Sequence, residues 1–220
     1  EEIKKVSAFK YLGSHVSQDR ELDIEVRHRI QSGWNFWRKL TGILCDRRVS
    51  VRLKGKIYKT AVRPAMLYGS ETWAVKRAQE KKMNVAEMRM LQWMCGVTRR
   101  DKVRNEHIRG TVKVAELSSK MQERRLNWYG HIMRDEEHIG RRAMELEVPG
   151  RRGKGRPKYR WGDRLKEDLQ VKGVGARNVV DRKVWKELVK NSEVKKADEE
   201  AEEIDPEAEE SILVKMTQIN

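Results

Sequence analysis

The sequence predicts a mainly α-helical protein that opens on a short β-hairpin. Apolar residues recur at three- and four-residue steps from Leu22 onwards, and glycine and proline punctuate the stripes, whereas strand-like alternation is confined to residues 3 to 16. Leu, Ile, Val and Phe make up about 22% of the 220 residues, just above the level of roughly 20% below which chains tend to stay unfolded. Seven Trp residues argue further for a packed core.

The elements follow in chain order. Residues 3 to 16 alternate weakly around Phe9, Tyr11 and Leu12, and Gly13-Ser14 supplies a turn. Asp19 is placed to cap a helix whose inner stripe is Leu22, Val26, Ile30, Trp34, Trp37 and Leu44, one helix or a pair broken near Gly42. Ser50 caps a second helix with Leu53, Ile57 and Ala61 facing inward. Pro64, which lacks a donor and crowds the preceding turn, kinks or ends that helix, and Met66 to Gly69 closes the unit. Met83, Ala86, Met90, Trp93 and Val97 stripe a third helix that finishes near Gly96. Polar residues 101 to 110 read as a linker. Ser119 with Gln122 has the spacing of a capping box before a helix through Met121, Leu126, Tyr129, Ile132 and Met133. Gly150 to Lys158 holds three glycines and a proline among five like charges, which excludes a helix and implies an exposed loop. Trp161, Leu165 and Leu169 mark one short helix, and Val180, Val184 and Leu188 another. Residues 197 to 210 carry nine acids and no base, so the tail is expected to be disordered. The expected organisation is a hairpin over 1–18, a three-helix bundle over 19–98, a linker and helix over 99–142, a basic loop with C-terminal helices over 143–192, and an acidic tail over 193–220.

Charge narrows the function. Residues 1 to 192 hold 46 bases and 24 acids, a net +22, and the tail from 193 holds ten acids and three bases, a net −7. A body this basic suits a polyanion, because each Lys or Arg on a phosphate releases condensed counterions whatever the base sequence. The alternative is a basic surface that serves solubility alone. Cys45 and Cys95 stand far apart, so neither a disulfide framework nor a zinc knuckle is indicated and a reducing compartment follows. With no long apolar run and no signal-peptide pattern, the expected setting is intracellular, nuclear or cytoplasmic, without membrane. A start at Glu1 reads as a fragment or mid-gene segment.

Three clusters bear on chemistry. Arg151, Arg152, Lys154, Arg156, Lys158 and Arg160 lie in one stretch with no acid to neutralise them, on a backbone loose enough for guanidinium groups to conform to phosphates or enter a minor groove. Their Gly155-Arg156-Pro157 core is similar to an AT-hook, though chance or a nuclear-localisation signal would give the same short pattern. Arg124, Trp128 and His131 fall at i, i+4 and i+7, setting a base and an aromatic plane on one helix face for phosphate contact and stacking, against core packing for Trp128 and solvent for Arg124. His131, Asp135 and His138 have metal-ligating chemistry, but not the spacing of a closed site, and Glu136 and Glu137 make a solvated face beside them. Asp163, Glu167 and Asp168 fit a surface ladder of ion pairs, Arg164 to Asp168 being an i,i+4 pair, rather than a two-metal site. No P-loop, nucleophile elbow or Cys/His couple is present, so no catalytic residue is assigned.

Taken in order, these segments resemble the C-terminal part of the endonuclease–reverse transcriptases of LINE-type (non-LTR) retrotransposons, most closely their RTE-like branch. The resemblance rests on Phe9-Lys10-Tyr11-Leu12-Gly13-Ser14, on Arg63-Pro64 followed by Tyr68-Gly69-Ser70-Glu71-Thr72-Trp73, and on Leu91-Gln92-Trp93 with Gly96. It continues through Arg124 to His131, Gly155-Arg156-Pro157 leading to Arg160-Trp161 and Asp163, and Asp181-Arg182 with Trp185, covering about residues 8 to 190. It implies a primer-grip segment, with Tyr11 and Gly13 near the primer end, and a thumb of about three helices gripping template–primer. It also implies RNA, DNA or their hybrid as partner, with the family's palm and fingers as a further one. The paired aspartates that hold Mg2+ in such enzymes belong to a palm motif upstream of the primer grip, and nothing in this sequence matches them; hence no cofactor and no polymerase activity are expected here. The acidic tail has no counterpart in the pattern. Two other readings compete: a domesticated helical interaction scaffold that has lost nucleic-acid binding, and a cryptic nuclease using His131 and nearby acids.

Overall fold

A computed structural model describes residues 6–18, 21–146 and 159–190. Asp19, the segment Gly150 to Lys158 and the acidic tail lie outside the described residues, and with them the expectations for that cap, for Arg151, Arg152, Lys154, Arg156 and Lys158, and for a disordered end. Within the described residues the chain is mainly helical behind an N-terminal two-stranded antiparallel hairpin, as the periodicities predict.

Strands β1 (Ala8–Tyr11) and β2 (Ser14–Ser17) pair from Ala8↔Ser17 to Tyr11↔Ser14. The turn is therefore Leu12-Gly13, one residue before the expected Gly13-Ser14. Both residues take positive φ, 46° and 82°, which matches the twist of a two-residue hairpin loop.

Helix α1 (Asp23–Lys39) and the single turn α2 (Thr41–Leu44) form the broken pair expected near Gly42. Ser50 caps α3 (Val51–Ile57), its hydroxyl accepting from the Leu53 amide. Pro64 does not end this unit: the chain runs on from α3 through a π-helical turn over Tyr58–Val62, and Pro64 occupies the first turn of α4 (Arg63–Leu67), where a missing donor costs little. Helix α5 (Arg77–Cys95) ends at Gly96, which takes the left-handed φ of a C-cap.

The polar stretch from Asp101 corrects the expectation of a linker, because much of it is helical. Helix α6 (Asn105–Val112) buries Ile108 and Val112. Helix α7 (Leu117–Arg134) begins two residues before Ser119, so Ser119 lies inside the helix and the expected capping box does not form there. Helices α8 (Ile139–Glu145), α9 (Trp161–Lys172) and α10 (Arg182–Val189) complete the described chain. Helix α10 buries a different face from the expected stripe: Trp185 and Val189 are buried, whereas Val180, just before the helix, and Val184 and Leu188 are exposed.

Helix α7 is shared by two apolar clusters. Leu117 and Met121 join the core made by α1 to α6, while Leu126 and Tyr129 pack with Leu165, Val179, Trp185 and Val189. Gly130 makes the second packing possible, since a Cβ there would overlap the Trp185 indole, whose N–H donates to the Leu126 carbonyl at 3.1 Å.

Buried charge ties the helices together. Glu87, fully buried on α5, accepts from Arg63 (2.9 Å) and Tyr58 (3.0 Å) on one oxygen and from Arg109 (2.5 Å) and the Leu117 amide (3.1 Å) on the other. Burial by itself would raise this carboxyl, but the two guanidinium groups outweigh it and hold Glu87 below the usual glutamate range. Arg125 on α7, likewise buried, pairs through Nε with Asp168 of α9 at 2.6 Å.

Candidate nucleic-acid interface

The hexapeptide Tyr68 to Trp73 is where the elements carrying the expected site residues meet. Helix α4 ends before it, and Gly69 takes a φ of 74° that a side chain would resist, turning the chain within 3.4 Å of Ser14 on the hairpin, measured from where its Cβ would stand. Ser70–Thr72 form one 3-10 turn, and Trp73 drops into the core.

From this turn four contacts run outward. The Tyr68 hydroxyl donates to the Leu12 carbonyl at 2.9 Å, and the Arg29 guanidinium lies 4.6 Å over the Tyr68 ring while donating to the Gly13 carbonyl. Glu71 pairs with Arg124 of α7 at 3.2 Å. The Glu71 carbonyl accepts from the Trp161 indole at 2.8 Å, pinning the start of α9 and with it Arg160. The hairpin tip, the α7 face and the downstream end of the basic segment are thus fastened to one short turn.

Glu25 of α1 completes the hairpin's anchorage. One of its oxygens takes Arg29 Nε at 2.6 Å and the other takes the His15 amide at 2.7 Å. Burial would raise the Glu25 carboxyl, but the His15 amide and the Arg29 cation outweigh it and leave it lowered. His15, Glu25 and His28 also form the one group among the described residues whose ligand atoms converge closely enough to hold a metal ion. His131, Asp135 and His138 do not form such a group.

The expected site residues are placed as follows. Tyr11 is exposed at the end of β1, edge-on to Phe9 with ring centres 6.5 Å apart. Gly13 is half-buried at the turn. Arg124 is half-buried and engaged by Glu71, which a helix-face argument did not anticipate. Trp128 is half-buried on α7 and His131 exposed; their rings are 5.4 Å apart, and His138 from the start of α8 joins them at 5.7 and 5.1 Å, so the face is a three-ring cluster. Arg160 is exposed, its amide bonded to the Asp163 carboxylate at 2.9 Å as α9 begins. The Arg164–Asp168 pair forms at 3.5 Å as expected, yet it is no surface ladder: Asp168 is buried against Arg125, and Arg164 reaches Glu80 at 2.6 Å.

Two features escaped the sequence reading. Glu87 stands four residues after Met83 and three before Met90, and a charge inside an apolar helical stripe is the signal that it is buried with a partner. Trp93, assigned to the packed face, is instead 60% exposed.

The chain is similar to a transposon-derived protein. That protein, from Caenorhabditis elegans, is 23% identical over 207 residues, which cover 87% of this chain and 73% of the relative. The likeness supports a transposon origin. No protein-family model and no solved structure matches the chain. Among the described residues no helix is long and apolar enough to cross a membrane.

Proposed function

We propose that this chain is the nucleic-acid-holding, C-terminal part of a LINE-type retrotransposon reverse transcriptase, gripping template–primer through phosphates and carrying no polymerase chemistry of its own. The observation that carries the reading is the junction at Tyr68 to Trp73. It fastens the hairpin tip at Leu12, the α7 face at Arg124 and the α9 start beside Arg160 to one turn. A string diagnostic of the family in the sequence thereby acquires a physical task, which is to hold several elements of a binding surface in fixed relation. The net +22 over residues 1 to 192 supplies the long-range attraction. The transposon-derived relative is consistent with this reading at its coarser level.

In this role, Tyr11 and Gly13 lie at the primer end, Trp128 and His131 offer ring faces beside the duplex, and Arg151, Arg152, Lys154, Arg156, Lys158 and Arg160 hold template or target phosphates. The ion pair with Glu71 gives Arg124 a positioning task in addition to any phosphate contact.

The test is salt dependence. Changing the six bases from Arg151 to Arg160 together to Ser should weaken binding to duplex, hybrid and single strand by similar factors. It should also lower the slope of log affinity against log salt by about 0.9 for each lost duplex contact. An unchanged slope would remove this segment from the binding surface and favour the domesticated scaffold. Primer extension by the purified chain with Mg2+ or Mn2+ would contradict the non-catalytic part of the proposal.

A further inference from the structure

We infer that Trp93 and the arginines around it form a separate stacking platform for single-stranded nucleic acid, an inference that rests on the nucleic-acid reading above but on none of its residues.

The platform follows from how α5 ends. Gly96 stops the helix in the left-handed conformation, and the Val97 amide turns back to the Gln92 carbonyl at 2.9 Å. The Asp101 carboxylate then takes the Thr98 amide at 2.6 Å and its hydroxyl at 2.8 Å, closing a 3-10 turn over Arg99–Asp101. This brings Arg99 and Arg100 back beside Trp93. Together with Arg89 and Cys45 they border an open cleft of about 910 Å³.

Three properties point to its occupant. First, Trp93 is exposed yet fixed: its ring stands edge-to-face on Trp34 (5.8 Å, 64°) and on Trp37 (5.5 Å, 69°), and Trp37 is itself rooted in the core. A large aromatic surface held in place by other aromatics loses little freedom on binding a flat ligand. Second, no carboxylate lines the cleft, and Arg89, Arg99 and Arg100 have no ion-pair partner among the described residues. Glu106 and Glu116 lie in the adjoining cleft that Arg89 and Arg99 also border, not in this one. On this side three guanidiniums without an ion pair would gain nothing from an apolar protein segment, whereas a polyanion would neutralise them. Third, aromatic face and cation are combined, as base and phosphate are in a single strand. A base inside a duplex has no free face to offer, so the occupant is an unpaired strand of RNA or DNA.

The experiment measures anisotropy of labelled 12-mers on the full chain: oligo-dT, oligo-U, an abasic strand of equal charge, and a duplex. The wild type should prefer oligo-dT and oligo-U over the abasic strand. Trp93→Ala should weaken them about 5- to 150-fold and erase that preference, Trp93→Phe should retain most of it, and Arg99→Gln with Arg100→Gln should weaken based and abasic strands alike. A 5-iodouracil 12-mer photocrosslinked to the wild type, which needs no variant to fold, should map to Trp93. Crosslinks wholly elsewhere, or a base preference untouched by Trp93→Ala, would overturn the platform and leave the cleft to a protein partner. Should the wild type bind no nucleic acid of any kind, the proposed function itself would fail, and the platform with it; duplex binding that persists while Trp93 proves irrelevant would sink the platform alone.

Discussion

Glu87→Gln is the most demanding perturbation the fold offers. The side chain keeps its shape, but one carboxylate oxygen becomes an amide nitrogen facing donors, either Arg63 and Tyr58 or Arg109 and the Leu117 amide. Arg63 is buried as well, so its charge is left without its counter-ion in a place water cannot reach. Removing one partner of a buried ion pair costs about 3 to 5 kcal/mol. For a chain of this size each kcal/mol moves the melting midpoint by about 2 to 4 °C, so the expected fall is about 10 °C. Circular dichroism melts would read it, and a midpoint within about 2 °C of the parent would refute the reasoning. The combination Arg63→Met, Glu87→Leu and Arg109→Met should recover much of the loss, since replacing a whole buried network by apolar groups is often neutral. The pH dependence has a definite sign. Because the folded carboxyl lies below its ordinary value of 4.5, its stabilisation is present above about pH 4.5 and is lost as pH falls through the lower folded value. The gap between parent and Glu87→Gln should therefore narrow in acid.

Three further outcomes follow from packing. Trp73→Ala should cost about 3 to 5 kcal/mol in urea titrations, and Trp93→Ala about 1 kcal/mol, because Trp73 is buried while Trp93 keeps only its edge contacts; equal losses would contradict the placement of Trp93 in solvent. Gly130→Ala should destabilise by about 1 to 3 kcal/mol through collision with Trp185, and an unchanged melt would show that α7 and α10 do not cross there. Leu12→Asn should raise the melting midpoint by a few degrees, about 1 kcal/mol, by placing Asn-Gly where both turn residues take positive φ; a lower midpoint would contradict that turn.

The helices themselves were legible because their signals are local. The stripe from Leu22 to Trp37, the Ser50 hydroxyl three residues from its amide partner, and Gly96 after the last turn of α5 all act over one or two turns of backbone. The short helices failed for the same reason. The polar surface of α6 conceals only Ile108 and Val112, and the phase of α10 is ambiguous over eight residues until Trp185 finds the space above Gly130. Net charge, the Arg151 to Arg160 cluster and the motif order were likewise properties of the sequence by itself.

What tertiary structure alone decided is which side of each stripe has a partner. Periodicity fixes the angle between Met90 and Trp93 on α5, but not where the neighbouring helices stop, and Met90 is covered while Trp93 is left at the edge. Charge behaves in the same way. Arg63 meets Glu87 across 24 positions and Arg125 meets Asp168 across 43; the apolar stripe around Glu87 marks that carboxylate for burial, but no local pattern says which base will meet either acid. Desolvating such groups is unfavourable until both partners and their hydrogen bonds arrive together, so their burial depends on the assembled packing rather than on any one segment. The turn at Tyr68 to Trp73 is the clearest case: six adjacent residues, distinctive as a string, become a junction only when the hairpin, α7 and α9 have all folded against them.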